Sequence, residues 1–432
     1  MRYPLSPPLV FALFATPVLA QVSDKEVRQQ LEPWFESSPY SVKAQTERYE
    51  TARSLSASMG PLDEKSAAKW RKSLLKLWEG GSELPKKSGD RWYFEDEKPE
   101  RGRYIIGGKT SRPKGLLIAM HGGGLGSADA GPAASMYGGP ASTHKWVMIA
   151  PQALEATELG WTTSGTEEWL LDLVDQGRRT FGVDPDHVYF AGHSMGGFGS
   201  WTLGAHHADR VAALAPSAGA PTPYLNRETD AVEGIVPGVI PSLRNTPMVV
   251  FQSTDDPRVP PGPNQYAVKE IGEAKQKWGG YDDFEYWEVD DVGHGPPKEG
   301  IGALIKKIAD FERKPLPTNL AWQPDLFWKQ QFHWLNWVKP VMGSIVVAER
   351  SEEDNSFTLT VTNDRGQPLT EVRGLSVLLD DRLVDMDKPV RVTLNGEVIF
   401  EDVPERNFFV LSVTSQTGDP ELQFEASAPP LS

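Results

Sequence analysis

The sequence predicts an α/β protein: a mostly parallel sheet with helices on both faces, preceded by a helical extension and followed by a small all-β sandwich. Three observations predict it. Between residues 91 and 313, apolar runs of strand length such as Leu116-Leu117-Ile118-Ala119-Met120 and Val147-Met148-Ile149-Ala150 alternate with amphipathic helical stretches such as 168–181. That rhythm builds a parallel sheet covered on both sides. Before it, residues 23–80 carry apolar positions at helical spacing; beyond residue 343 the spacing becomes two, the period of a half-buried strand. The expected divisions are 1–20, a leader; 21–88, the helical extension; 89–314, the α/β body; 315–343, a tryptophan-rich linker; and 344–432, the sandwich.

Residues 1–20 read as a secretory signal. Arg2 is followed by the apolar core Leu9-Val10-Phe11-Ala12-Leu13-Phe14-Ala15 and by the small-residue site Val18-Leu19-Ala20. The core is too short to span a bilayer, so a secreted or periplasmic protein without stable membrane insertion is expected. The 432 residues include no cysteine, which leaves no disulfide or thiolate metal site, and carry a formal net charge of -15. Such an acidic surface repels polyanions, so nucleic acid is not an expected partner and a neutral substrate is.

In the extension, Ser23-Asp24-Lys25-Glu26 has the wording of a capping box, and Leu31, Trp34, Phe35, then Trp70, Leu74, Leu77, Trp78 form two apolar stripes. Helices packing on the α/β body are expected, with a cap over the site as the alternative. The body begins with Trp92-Tyr93-Phe94 and Tyr104-Ile105-Ile106, and then a buried strand ends in His121-Gly122-Gly123-Gly124. Glycines there let backbone N–H groups approach a ligand oxygen, so Gly123 and Gly124 are candidate oxyanion donors. Met136, Tyr137 and Trp161 lie in segments expected to be loops at strand ends, which makes Tyr137 and Trp161 candidate substrate contacts.

The strand Val188-Tyr189-Phe190-Ala191 runs into Gly192-His193-Ser194-Met195-Gly196-Gly197, a G-x-S-x-G turn from strand to helix. This wording exposes the serine hydroxyl at the strand's end and aims it at a helix N-terminus, so Ser194 is the candidate nucleophile and the Met195 amide a second oxyanion donor. The apolar run 247–251 leads to Asp255-Asp256, where a triad acid belongs. Tyr286-Trp287-Glu288-Val289 then leads to Gly293-His294-Gly295, a histidine in a late loop. His121 and His193 sit inside the glycine motifs and His206 and His207 on the helix after Ser194, which makes them weaker bases. Nucleophile, acid and base thus fall in the order serine, aspartate, histidine.

Together these motifs and Asp256-Pro257-Arg258-Val259-Pro260 resemble secreted α/β-hydrolases of the polyhydroxybutyrate depolymerase, feruloyl esterase and dienelactone hydrolase-like group, over about half the chain. The D-x-x-V-P wording that follows the acid in that group, with Pro257 stiffening the turn, implies Asp256 rather than Asp255. The resemblance implies an α/β-hydrolase fold and a serine hydrolase cleaving carboxylic esters with Ser194, Asp256 and His294. It implies no metal and no cofactor. Its partner is a small-molecule or polymer ester: feruloyl, acetyl, aryl or polyester. A prolyl oligopeptidase-like peptidase and a non-catalytic polymer-binding protein are the alternatives.

In the last part, Trp322, Phe327, Trp328, Phe332, Trp334 and Trp337 crowd one segment, expected to pack a domain interface. Phe357-Leu359-Val361, Leu375-Val377-Leu379 and Val390-Val392-Leu394 alternate as sandwich strands, and Asn395-Gly396 marks a hairpin turn. Asp380, Asp381, Asp385 and Asp387 are expected as turn residues rather than calcium ligands.

Overall fold

The structure, a computed structural model, describes residues 22–94 and 101–431. The expected leader lies outside these residues. The central body is an eight-stranded sheet. Its strands are β1 (Gly89–Trp92), β2 (Arg103–Gly108), β3 (Gly115–Met120), β4 (Trp146–Pro151), β5 (Val188–His193), β6 (Ala213–Ser217), β7 (Met248–Ser253) and β8 (Phe284–Val289). Their spatial order is β1-β2-β4-β3-β5-β6-β7-β8. The two pairings made by β2 are antiparallel and the rest are parallel. The continuous apolar runs explain the inner strands, since every residue of β3, β4 and β7 is buried. Helices α4 (Ala130–Thr143) and α8 (Ile301–Ile308) cover one face, and α5 (Thr166–Phe181), α6 (Met195–His206) and α7 (Gly262–Trp278) the other.

Strand register brings the motifs together. Met120 is paired with Gly192, so the loop after β3 and Ser194 after β5 leave the sheet side by side. His193 faces Ser217, and Ser253 faces Val289, so the segments carrying Asp255, Asp256 and His294 emerge from the same edge. All are C-terminal strand ends, the side of an open parallel sheet where ligand crevices form.

The tryptophan-rich stretch 315–343 is not a linker. Asn319–Trp322 (β9) belongs to a five-stranded sheet with Ile345–Ser351 (β12), Ser356–Thr362 (β13), Val390–Leu394 (β15) and Glu397–Asp402 (β16). Gln331–Phe332 (β10) and Leu335–Trp337 (β11) pair into a four-stranded sheet with Leu375–Leu379 (β14) and Ala426–Ala428 (β17). Trp322, Phe332, Trp334 and Trp337 are buried between the sheets, so the all-β unit begins at β9. These four are its core rather than a domain interface, whereas Phe327 is exposed and the ring of the partly buried Trp328 stacks 5.8 Å from that of His207 on the α/β body.

The N-terminal helices pack differently from expectation as well. Ser23 and Asp63 cap α1 (Asp24–Leu31) and α3 (Glu64–Glu79), and Ser41 caps α2 (Val42–Met59). Their buried faces, including Leu31, Trp34, Leu55, Trp70 and Leu74, form one continuous core with the sandwich and with α9 (Phe408–Thr414). Helices and sandwich therefore make one body, and it meets the α/β body through buried ions. Tyr40 hydrogen-bonds Asp175 and Arg210, Arg178 Nη1 donates to the Thr417 carbonyl at 3.0 Å, Lys329 pairs with Asp209 at 2.8 Å, and Arg313 bridges Asp186 at 2.7 Å and Asp419 at 2.5 Å. His207 and Arg210 lie just past the C-terminal end of α6, about 18 Å along the helix from Ser194. The helical extension is thus not a cap over the strand ends. Three of the four aspartates of the sandwich are spent on ion pairs and turns: Asp380 on Arg71 and Arg382, Asp381 on Arg406, and Asp385 on Lys388 and the Asp387 amide.

Candidate active site

Ser194 stands between β5 and α6 with φ 60° and ψ -122°, a region that costs a non-glycine residue on the order of 1–3 kcal/mol. The surroundings hold it there. Its N–H donates to the Ser217 carbonyl at 2.9 Å, and its own carbonyl accepts from Gly197 at 2.7 Å and Phe198 at 3.2 Å. The turn is so tight that a Cβ on Gly192 would lie 2.1 Å from the Gly196 carbonyl oxygen, which is why the motif needs glycine there.

Three side chains then line up. Ser194 Oγ is 2.9 Å from His294 Nε2, and His294 Nδ1 is 2.8 Å from Asp256 Oδ2 and 3.0 Å from Oδ1. A carboxylate only accepts, so Nδ1 carries the proton and Nε2 is free to accept from the serine hydroxyl. The Asp256 carboxylate is fully buried and is aimed by two backbone donors, Arg258 N–H at 2.8 Å and Val259 N–H at 3.0 Å. Its neighbour Asp255 points elsewhere, accepting from the Gly293 N–H at 2.9 Å and from the Ser253 hydroxyl. The Ser253 hydroxyl, then the Gly293 amide, hold Asp255 below the ordinary aspartate pKa.

Met195 is the first residue of α6, so its amide has no acceptor within the helix and faces the end where Ser194 sits. Across from it, the glycine-loop residue nearest the nucleophile is Gly122, where a Cβ would sit 3.1 Å from Ser194 Cβ and 3.7 Å from Oγ. Gly123 and Gly124, singled out from the sequence, are one and two positions further on. They pair with Ala128 and Ser127 in a short hairpin, and no atom lies within 4 Å of where a Gly124 Cβ would be. His121 holds this loop: Nε2 accepts from the Ala153 N–H at 3.0 Å, so Nδ1 is the donor to the Gly122 carbonyl at 2.8 Å. Burial depresses the His121 pKa, which favours that neutral form.

Trp161 is buried, donating from Nε1 to the His121 carbonyl at 3.1 Å. It reaches only the floor of a shallow recess whose other lining includes Leu159, Met195, Phe198, Thr202 and Thr222. Tyr137 does not reach the site. It is 0% exposed, packed between α4 and the sheet, because α4 is an ordered helix rather than the loop expected there. Met136 is on the same helix, packed against the same core. Sequence reasoning missed Leu159, Phe198 and Thr222, which carry no motif, and gave His193 no particular partner. His206 and His207 are far from Ser194 and share Glu167, each at 2.8 Å from Oε1. Burial would lower His206, but Glu167 raises it to about 9, whereas burial takes His207 to about 4.

A sheet of order β1-β2-β4-β3-β5-β6-β7-β8, with serine after β5, aspartate after β7 and histidine after β8, settles the fold. The fold is the α/β-hydrolase fold. No family model matches the chain. Over 135 residues it is 30% identical to poly(3-hydroxyalkanoate) depolymerase C of Paucimonas lemoignei, covering 29% of this chain and 32% of that protein. Over 61 residues it is 33% identical to a bifunctional acetylxylan esterase/xylanase of Neocallimastix patriciarum, covering 14% and 9%. The chain thus spans at most about a third of the length of these relatives. Among solved structures, a poly(3-hydroxybutyrate) depolymerase of Bordetella parapertussis is similar over 52% of this chain and 88% of its own, at 18% identity and TM-score 0.37.

Proposed function

We propose that the protein is an exported serine hydrolase that cleaves carboxylic esters through an acyl-enzyme on Ser194. The observation that carries this reading is the hydrogen-bonded series from Ser194 Oγ through His294 to a buried Asp256, set beside a helix N-terminus and a glycine loop. Ser194 Oγ attacks the acyl carbon as His294 Nε2 takes its proton, while Asp256 keeps the other ring nitrogen protonated and stabilises the imidazolium. The carbonyl oxygen becomes an oxyanion between the Met195 amide and the glycine loop at Gly122 and Gly123. Each such donor is worth on the order of 3 kcal/mol of barrier. His294 returns its proton to the leaving alcohol, and water, deprotonated by the same nitrogen, releases the acid.

Relatives named as an ester-polymer depolymerase and an acetylxylan esterase support ester over amide as the bond cleaved. The acidic surface, with net charge -15, supports a neutral substrate, and the leader-like residues 1–20 support export. No helix among the described residues is long and apolar enough to cross a membrane. The test is a panel of p-nitrophenyl esters, acetylated and feruloylated glycans, polyesters and peptide anilides, run beside a fluorophosphonate label. Turnover of esters with labelling of Ser194 is expected. Faster cleavage of anilides than of every ester would give the site to a peptidase, and neither labelling nor turnover would leave a binding protein.

A further inference from the structure

His294 lies in a loop between Gly293, whose φ is 57°, and Gly295, two residues that by themselves leave its backbone free to drift. Besides the Gly295 N–H bond to the Val292 carbonyl at 3.1 Å, the loop is tied on both sides of the His294 Cα by side chains outside the triad. On one side Asp255 Oδ1 accepts from the Gly293 N–H at 2.9 Å. On the other, His193 Nε2 lies 3.3 Å from the His294 carbonyl oxygen.

The second tie fixes the state of His193. A carbonyl oxygen only accepts, so Nε2 must carry the proton, and in the neutral ring Nδ1 is then a bare acceptor. Ser217 Oγ, fully buried, lies 3.1 Å from that nitrogen and supplies the hydrogen. Burial, and next the nearby His294, take the His193 pKa down to about 4, so the neutral form is the working one above that. Ser217 also accepts the Ser194 N–H on its own carbonyl at 2.9 Å. The bonds close a circuit: Ser194 to Ser217, Ser217 to His193, His193 to the His294 backbone, and the His294 ring back to Ser194 Oγ at 2.9 Å.

We propose that His193 is a positioning residue of this hydrolase, donating through Nε2–H to the His294 carbonyl and so holding the base at hydrogen-bonding distance from Ser194. The inference rests on the reading of Ser194 and His294 as nucleophile and base. Asp256 aims the ring, Asp255 and His193 hold the backbone that carries it, and Ser217 sets the tautomer on which the His193 bond depends. One side chain of the G-x-S-x-G turn thereby ties the nucleophile's own strand to the base loop.

The test compares His193→Phe, which keeps the ring's bulk without its nitrogens, with His193→Gln, whose amide N–H can meet the same carbonyl. Each is assayed on p-nitrophenyl acetate with active sites counted by fluorophosphonate. Since a displacement of 1 Å costs about 100-fold, the Phe variant should lose about 10- to 100-fold in kcat with KM within about twofold, and the Gln variant should recover most of it. Separately, nitrogen NMR of the full-length, histidine-labelled wild type should find His193 protonated on Nε2. An unchanged kcat per active site in His193→Phe, whatever its thermal stability, or a ring protonated on Nδ1, would overturn the proposal. If the wild type turned over no ester and took no label, the hydrolase reading itself would fail, and the tautomer would still decide whether the circuit exists.

Discussion

Replacing Asp256 by asparagine removes one charge while leaving the shape of the site, and the geometry dictates how the amide must lie. Oδ1 already accepts two backbone N–H groups, from Arg258 at 2.8 Å and Val259 at 3.0 Å. The asparagine oxygen must keep that place, because turning the NH₂ towards two donors would leave them buried and unpaired at about 1–3 kcal/mol each. The NH₂ is then forced into the position of Oδ2, 2.8 Å from His294 Nδ1. A donor there makes Nδ1 the acceptor and moves the ring proton to Nε2, the atom that must take the proton of Ser194. The wrong tautomer costs about 10⁴ in kcat, or about 5.5 kcal/mol of barrier. Asp255→Asn keeps an oxygen for the Gly293 N–H and the Ser253 hydroxyl, so its kcat should stay within about tenfold of wild type. The assay is kcat on p-nitrophenyl acetate, with circular dichroism to establish folding. A folded Asp256→Asn enzyme keeping more than a few per cent of the rate, or a larger loss at Asp255 than at Asp256, would refute the reasoning.

Other outcomes follow from the same structure. Ser194→Ala and His294→Ala should each fold normally, by circular dichroism, and lose ester turnover by more than about 10³-fold. A chain ending at Arg313 strips the sandwich from Leu31, Trp34, Trp70 and Leu74 and leaves Asp209 without Lys329, so it should aggregate; a soluble, monomeric product by size exclusion would contradict the shared core. Because His206 is raised to about 9 by Glu167, its charge contributes stability that is fully present below the unfolded histidine value of about 6.5 and is lost as pH climbs through 9. The melting-temperature gap between wild type and His206→Gln should therefore narrow from pH 7 to pH 10.

Much of the site was legible because its parts obey local rules. A buried strand, a G-x-S-x-G turn and a small-residue helix start can be recognised without knowing any partner, and strand register then delivers Asp256 and His294 to the same edge. What failed needed distant contacts. Strands β10 and β11 span two and three residues, too short to reveal a period of two, so Phe332 and Trp337 read as part of a linker. The stripes of α1 and α3 announce a buried face but not its partner, which lies more than 300 residues away in the chain. Helix α4, rich in alanine and glycine, shows almost no amphipathic pattern, so Tyr137 read as a loop residue. That Gly122 is the loop glycine nearest Ser194 depends on how β3 ends beside it, which composition does not encode.

The central claim is a covalent acyl group on Ser194, and rapid acid quench of the enzyme during p-nitrophenyl acetate turnover, followed by peptide mass spectrometry, tests it most directly. One acetyl group should be found on the peptide containing Ser194, with none in Ser194→Ala. Undiminished ester hydrolysis by Ser194→Ala, or an acetyl group mapped to a different residue, would contradict the account.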